Sequence, residues 1–430
     1  MCVIKWGRFE KYVTDLMEKE KIPGVAIAIS QNGQVIYERG FGVIDIETKE
    51  PVTPETIFGT ASITKSFIAL AIMKLAEEGK LQVDDAVKMH LPKLNLEYYY
   101  NINDIKIHHL LSHTTGIETI KRDEALASFD EHLDYLSGIE LETLGRPGRY
   151  FCYNNDMFLL LGAIVEKVTG ENYQDYIQKE IFRPMNMTRT TFNLEELAQF
   201  SNVTTPYIIE DSKPTSCSWP ILGNYAVGGG IRSTVMDLLK YGNLYIDKEN
   251  TFTRKMTKAV HKTNGTSSYG YGFQTTPNYN LKGLTLVEHG GSQPGVSSNF
   301  GFVREQEIVA AVLTNLSGVS ADAIWLGAIN TVLGLPADRK RSIEPHFQLV
   351  QGQHLKFIGN YQTGEGSTVT ISYVNEKLMA TVDGKMHSLR ASNPETLVIT
   401  PIERPIRFFF NEYNETWALF LGLRMFVKSD

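Results

Sequence analysis

The amino-acid sequence predicts an α+β domain, one antiparallel sheet flanked by helices with a helical region inserted, followed by a small all-β barrel. Three observations carry that prediction. Strand patterns at both ends of residues 1–335 bracket a helical middle. A charged, proline-bearing linker, residues 336–350, then separates two compositions. Beyond it, residues 351–430 hold short strand-like runs with turn signals between them, the pattern of an antiparallel barrel.

Each element has its own signal. Phe9, Tyr12, Val13, Leu16 and Met17 recur at i, i+3, i+4, i+7 and i+8, one face of an amphipathic helix that Pro23-Gly24 ends. Residues 25–29 form a continuous apolar run, read as a buried strand; Asn32-Gly33 turns the chain, and residues 34–40 return as a second strand. A long apolar helix follows Thr60, taken as its N-cap, and stops at Gly79. From there to about residue 197 the pattern is mostly helical. A strongly apolar helix spans 157–169 before Gly170, and another spans 173–181. Gly228-Gly229-Gly230 is read as a break before a helix over 234–245. Strand character returns at 284–289, 298–303 and 308–314, and a helix over 323–333 closes the unit. The simplest assembly pairs the first hairpin with the late strands in one sheet, leaving a cleft against the helical region. In the tail, strand-like runs cover 356–361, 368–373, 378–382, 386–389, 396–400, 407–410 and 416–420, with 424–427 closing the set.

Composition narrows the function. A chain of 430 residues with 42% apolar and 21% charged residues is an ordinary globular protein with a large core. A net charge of −7 without a lysine/arginine block excludes nucleic acid as the expected partner. No run of about 18 apolar residues suggests a membrane span. The first residues lack the apolar core of a signal peptide, so the expected location is the cytoplasm, with no membrane partner. Cys2, Cys152 and Cys217 are too few and too scattered for a disulfide framework or a metal cluster. His109 and His113 stand four apart, but no glutamate intervenes and no third ligand is evident, so no metal is assigned. Gly228-Gly229-Gly230 lacks the Gly-Lys-Ser/Thr of a phosphate loop. No cofactor is expected, and homo-oligomerisation is left open.

Chemistry concentrates at Ser62 and Lys65. Three residues apart at the start of a helix, their side chains rise on one face. The serine sits beside orphan N–H groups and the positive end of the dipole, and a desolvated lysine loses its proton readily. Together they are a nucleophile and a base; alone, Ser-x-x-Lys is more often an ordinary capped helix with a solvated lysine. Tyr153 and Asn155, two apart on a loop, add a phenol that can shuttle a proton and an amide that can hold a carbonyl. The plain alternative there is a buried tyrosine and a helix N-cap. His289-Gly290-Gly291-Ser292 ends a predicted strand, where glycines let a ligand approach and the Ser292 N–H can donate; a strand-ending turn is the plain alternative.

Ser62-Ile63-Thr64-Lys65, Tyr153-Asn154-Asn155 and His289-Gly290-Gly291 occur in the order and at about the spacing of the three motifs of the penicillin-binding-protein and class C β-lactamase family, which this chain resembles. Flanking stretches are similar too, among them His109-Leu110-Leu111-Ser112-His113-Thr114-Thr115-Gly116, Ile181-Phe182-Arg183-Pro184-Met185 and Tyr269-Gly270-Tyr271-Gly272-Phe273. The likeness covers residues 9–333, and the tail resembles the lipocalin-like barrel of some family peptidases. The layout is similar to CubicO-type serine peptidases and D-aminopeptidases.

The resemblance implies roles. Ser62 is the acylated nucleophile, Lys65 and Tyr153 share its proton, Asn155 binds the substrate amide, and the N–H groups of Ser62 and Ser292 beside Gly291 form the oxyanion hole. His289 stands where many members carry lysine, and a histidine is a weaker clamp for a substrate carboxylate. The implied activity is a serine peptidase on short peptides, aminopeptidase-like and tolerant of D-residues, with a peptide or small acyl compound as substrate. A carboxylesterase or β-lactamase-like hydrolase is the alternative, and a non-catalytic peptide-binding module a second.

Overall fold

The computed structural model describes residues 4, 6–96, 99, 101–247, 249–263, 265–280, 282–341, 343–400 and 402–429; Cys2 lies outside them. An eight-stranded antiparallel sheet runs in the order Gln34–Gly42, Gly24–Gln31, Ile308–Thr314, Val296–Val303, Leu284–Gln293, Gln274–Tyr279, Ser268–Tyr269, His261–Lys262. The first hairpin and the late strands therefore share one sheet, the simplest assembly the sequence offered. Asn32 and Gly33 turn the first hairpin with φ of 52° and 74°, the left-handed pair of a type I′ turn.

The apolar runs are continuous because helices cover both faces of the sheet. Val25, Ile27, Ile29, Ala310 and Val312 pack on one side with Phe9, Val13, Ile324 and Trp325 of the helices Trp6–Glu20 and Ala321–Val332. Ala26, Ala28, Val309, Ala311 and Leu313 face the opposite side, where Leu238 and Tyr241 of the helix Val235–Ile246 meet the larger helical core. Trp325 Nε1 donates to Ala310 O at 3.0 Å and pins its helix to the central strand.

Several elements depart from expectation. The three strands 261–262, 268–269 and 274–279 carry little apolar alternation and extend one edge of the sheet, so only tertiary pairing specifies them. Gly228-Gly229-Gly230 does not simply break the chain: Ala226–Gly229 is a short helix packed on the helix Thr64–Glu77. The segment from Tyr173 is α-helical to Ile177 and π-helical over Gln178–Phe182. The strand Leu284–Gln293 runs through Gly290 and Gly291, where a turn had been the plain alternative.

The helix Asn155–Thr169 is capped by Asn154, whose side chain accepts from Met157 N at 3.0 Å, and it ends on Gly170 at φ 74°. Asn154 Nδ2 also donates to Glu118 O. Asn154→Ala is expected to lower stability by about 1–2 kcal/mol, read as a drop in the urea midpoint at unchanged m-value.

After the last helix the chain is tied down on its way to the barrel. Arg341 pairs with Glu288 at 2.7 Å, and Phe347 N donates to Ala391 O at 3.0 Å. Eight strands then close a barrel, the last, Arg424–Lys428, pairing with the first, Gly359–Gln362. The first begins later than its pattern suggested because residues Gln353–Phe357 form a 3₁₀ turn. Phe357, Tyr361, Val369, Phe408, Leu419 and Phe426 fill the interior. Phe409, pointing the other way along its strand, meets Tyr150 of the first domain at 5.5 Å between ring centroids. Phe420 and Met425 extend that contact onto Phe151 and Tyr153. Among the described residues no helix is long and apolar enough to cross a membrane.

Candidate active site

Ser62 sits in a single 3₁₀ turn, Ala61–Ile63, and the α-helix proper begins at Thr64. The expectation that Thr60 caps this helix through its side chain fails. Thr60 Oγ1 instead donates to Ile231 O at 3.0 Å, and its own carbonyl accepts from Ser298 Oγ at 2.7 Å. Ile231 N returns a bond to Thr64 Oγ1 at 3.1 Å. These ties hold Ala61 at φ 45°, a left-handed conformation unfavourable for alanine, one residue before Ser62.

The Lys65 side chain is wholly buried, and burial drives its pKa well below the ordinary lysine value, with Arg424 and Arg122 adding like-charge repulsion. Its Nζ lies 3.4 Å from Ser62 Oγ and donates to Gly228 O at 2.9 Å. At Gly228 an added Cβ would stand 2.7 Å from Nζ, so a side chain there would displace the amine. Asn155 Oδ1 borders the same point, 3.9 Å from that Cβ position.

Tyr153 completes the group. Its ring centroid lies 5.0 Å from Lys65 Nζ, and the hydroxyl is buried without a formed hydrogen bond. Burial raises its pKa, while Ser62 and Arg424 beside it counter part of the rise. His113 packs on the ring, tilted by 31° with centroids 4.2 Å apart, and accepts from Asn154 N through Nδ1 at 3.2 Å. His113 therefore positions the tyrosine loop. His109 accepts from Lys106 N in its own turn, and no metal-binding cluster occurs among the described residues.

The far wall is the strand edge from His289 to Gln293, beyond the last pairing with the neighbouring strand at Glu288–Gln274. Gly291 lies against the Ser62 turn so closely that a Cβ would meet Thr60 O at 2.5 Å and Ser62 N at 2.8 Å. Ser292 follows on the exposed rim of this strand. His289 is buried, and burial pushes its pKa down to about 3, with Lys65 contributing. Its Nδ1 faces Gly290 O at 2.6 Å and must donate; its Nε2 then accepts from Tyr269 OH at 2.8 Å. The ring is neutral with both nitrogens occupied, so it presents no cation to the cleft.

The cleft of about 610 Å³ that collects Ser62, Tyr153, His289, Gly291 and Ser292 has a wall the sequence did not announce. Leu423, Arg424 and Arg404 reach it from the barrel. Tyr269 was also unassigned, although it stands in a stretch that carried the family likeness. Ser62, Lys65 and Tyr153 thus come together, with Asn155 bordering Gly228 beside them and Gly291 and Ser292 opposite.

A family model described as Beta-lactamase matches residues 9–330. Protein flp of Staphylococcus aureus (strain NCTC 8325 / PS 47) is 37% identical over 181 residues, which are 41% of this chain and 36% of that protein. The match therefore spans little more than a third of that relative's length. PbpX of Bacillus subtilis (strain 168) is 27% identical over 71% of this chain and 73% of its own. Among solved structures, the octameric penicillin-binding protein homologue from Pyrococcus abyssi is 28% identical with a TM-score of 0.74, covering 98% of this chain and 99% of that one. SurE, 18% identical at a TM-score of 0.76 over 98% of both chains, shares the fold.

Proposed function

The chain belongs to the beta-lactamase family of penicillin-binding protein homologues, with a C-terminal eight-stranded barrel, and we propose that it is a serine hydrolase acting through an acyl-enzyme on short peptides. The observation that carries the reading is a fully buried Lys65, its Nζ 3.4 Å from Ser62 Oγ and beside the Tyr153 ring. Burial favours the unprotonated amine, so Lys65 can take the serine proton, and the phenol can pass it to the leaving group. In this reading the N–H groups of Ser62 and Ser292 bind the developing oxyanion and Asn155 holds the substrate amide.

The neutral His289 favours a peptidase with no demand for a carboxylate on that strand over a β-lactamase or carboxypeptidase. The barrel wall at Leu423 and Arg424 favours short substrates. An aminopeptidase tolerant of D-residues is the form of the activity we infer. The octameric Pyrococcus abyssi homologue supports a homo-oligomeric state for this chain as well.

The test is hydrolysis of paired L- and D-aminoacyl anilides, free or blocked at the N-terminus, beside a simple ester and a chromogenic cephalosporin, with Ser62→Ala as blank. Cleavage of free-amine anilides that depends on Ser62 is the expected result. Turnover confined to the ester or the cephalosporin replaces the peptidase reading with the esterase or β-lactamase one.

Within this reading Tyr153→Phe separates catalysis from stability. The hydroxyl is buried beside Ser62 without a well-formed hydrogen bond, so its loss changes the melting temperature little. Turnover falls by roughly 10²–10³-fold, the usual weight of a proton-transfer group.

A further inference from the structure

The strands Thr416–Leu421 and Arg424–Lys428 of the barrel are joined by a tight turn with Gly422 at φ 64°. This turn touches the Tyr153 loop in two ways. Leu423 O accepts the backbone N–H of Tyr153 at 2.9 Å, and the Arg424 guanidinium lies 4.8 Å from the centroid of the Tyr153 ring. Arg424 is held by Glu365, also of the barrel, with Nε to Oε2 at 3.1 Å and Nη2 to Oε1 at 3.4 Å. A fixed cation from one domain thus rests on the phenol of the other, and the phenol borders both Ser62 and Lys65.

We propose that Arg424 is a positioning residue for catalysis, a cation delivered by the barrel that keeps the Lys65–Tyr153 pair poised to accept the Ser62 proton. The proposal rests on the hydrolase reading above. Physically, a guanidinium near the pair disfavours a proton on Lys65 and favours negative charge developing on the phenol, so it acts twice in the same direction. After burial, Arg424 is the largest influence lowering the Lys65 pKa, and it also lowers that of Tyr153.

Other charged and titratable groups face the same site: Arg404 lines the cleft with Arg424, as does the buried Glu288, which is paired with Arg341. His113 and His289 are held neutral by burial, and the Tyr269 phenol is held protonated. Arg122 works in the same sense as Arg424 on Lys65, and Asp156 opposes it. Glu365 opposes Arg424 at both Lys65 and Tyr153. The ion pair in the barrel is therefore two levers of opposite sign on one proton.

The experiment follows the rate of covalent labelling of Ser62 by a fluorophosphonate as a function of pH in the full chain, which needs no knowledge of the substrate. Removing the cation raises the Lys65 pKa, so Arg424→Gln should move the acid limb to higher pH by about one unit and slow labelling ~10-fold on that limb. Arg424→Lys, which keeps the charge, should restore most of the shift. Glu365→Gln should move the limb the other way, to lower pH, an effect that loosened packing would not produce. Thermal unfolding of each variant checks that the fold persists. Opposite shifts establish the role. Limbs that stay with the wild type, or that move in the same direction in both variants, overturn it while leaving the hydrolase reading intact. Wild-type protein that does not label at Ser62 overturns the hydrolase reading and this role with it.

Discussion

Ser62→Ala and Lys65→Ala should each reduce turnover by on the order of 10⁴-fold or more, with the melting temperature within a few degrees of wild type. The two losses should not add in the double variant, because the hydroxyl and the amine act as one unit. In the proposed mechanism Ser62→Ala removes the hydroxyl that carries the acyl group. Lys65→Ala leaves the hydroxyl without a base, since His289 has both nitrogens occupied and His113 uses Nδ1 on the backbone. Stability is spared for a physical reason. A buried lysine is an unfavourable guest whose loss relieves desolvation, offsetting the lost bond to Gly228 O. The pH dependence has a definite sign. Burial holds the Lys65 pKa well below the lysine norm, so the wild-type rate falls as pH drops through that depressed value. Turnover by Lys65→Ala at the wild-type level would remove the lysine from the mechanism.

How much of this was legible before the structure depends on what specifies each part. The first hairpin was readable because Asn32-Gly33 is a local turn signal, and the barrel because eight short runs alternate with turns. Ser62, Lys65 and Tyr153 were readable because their chemistry is carried by residue type and spacing. The single 3₁₀ turn at Ser62 was not, since Thr60 is a good cap by type and only its bonds to Ile231 and Ser298 divert it. The strand through Gly290 and Gly291 was hidden because glycine carries no strand preference of its own; its pairing with the strand Val296–Val303 decides. The three polar strands at the sheet edge were missed for the same reason. Arg424 had no local signal, because its place beside Tyr153 arises only when the barrel docks.

The second large effect concerns the neighbouring glycines of the strand edge, which the sequence presents as a pair and the structure makes unequal. At Gly291 an added methyl would meet Thr60 O at 2.5 Å, Ser298 Oγ at 2.5 Å and Ser62 N at 2.8 Å. Two of those atoms are backbone of the nucleophile turn, which is already fixed by its bonds to Ile231 and Ser298, so it has no room to yield. At Gly290 the nearest atom would be Ser298 O at 3.7 Å, an ordinary contact. Gly291→Ala is therefore expected to lower turnover by roughly 10²–10³-fold, the weight of a displaced oxyanion donor, and to destabilise by about 1–3 kcal/mol through overpacking. Gly290→Ala should change turnover by less than about threefold and stability by no more than about 0.5 kcal/mol. Kinetics and urea unfolding of the two variants side by side decide the matter. Equal effects would mean that the strand edge does not set the position of the Ser62 N–H, and the oxyanion hole would have to be sought elsewhere along the cleft.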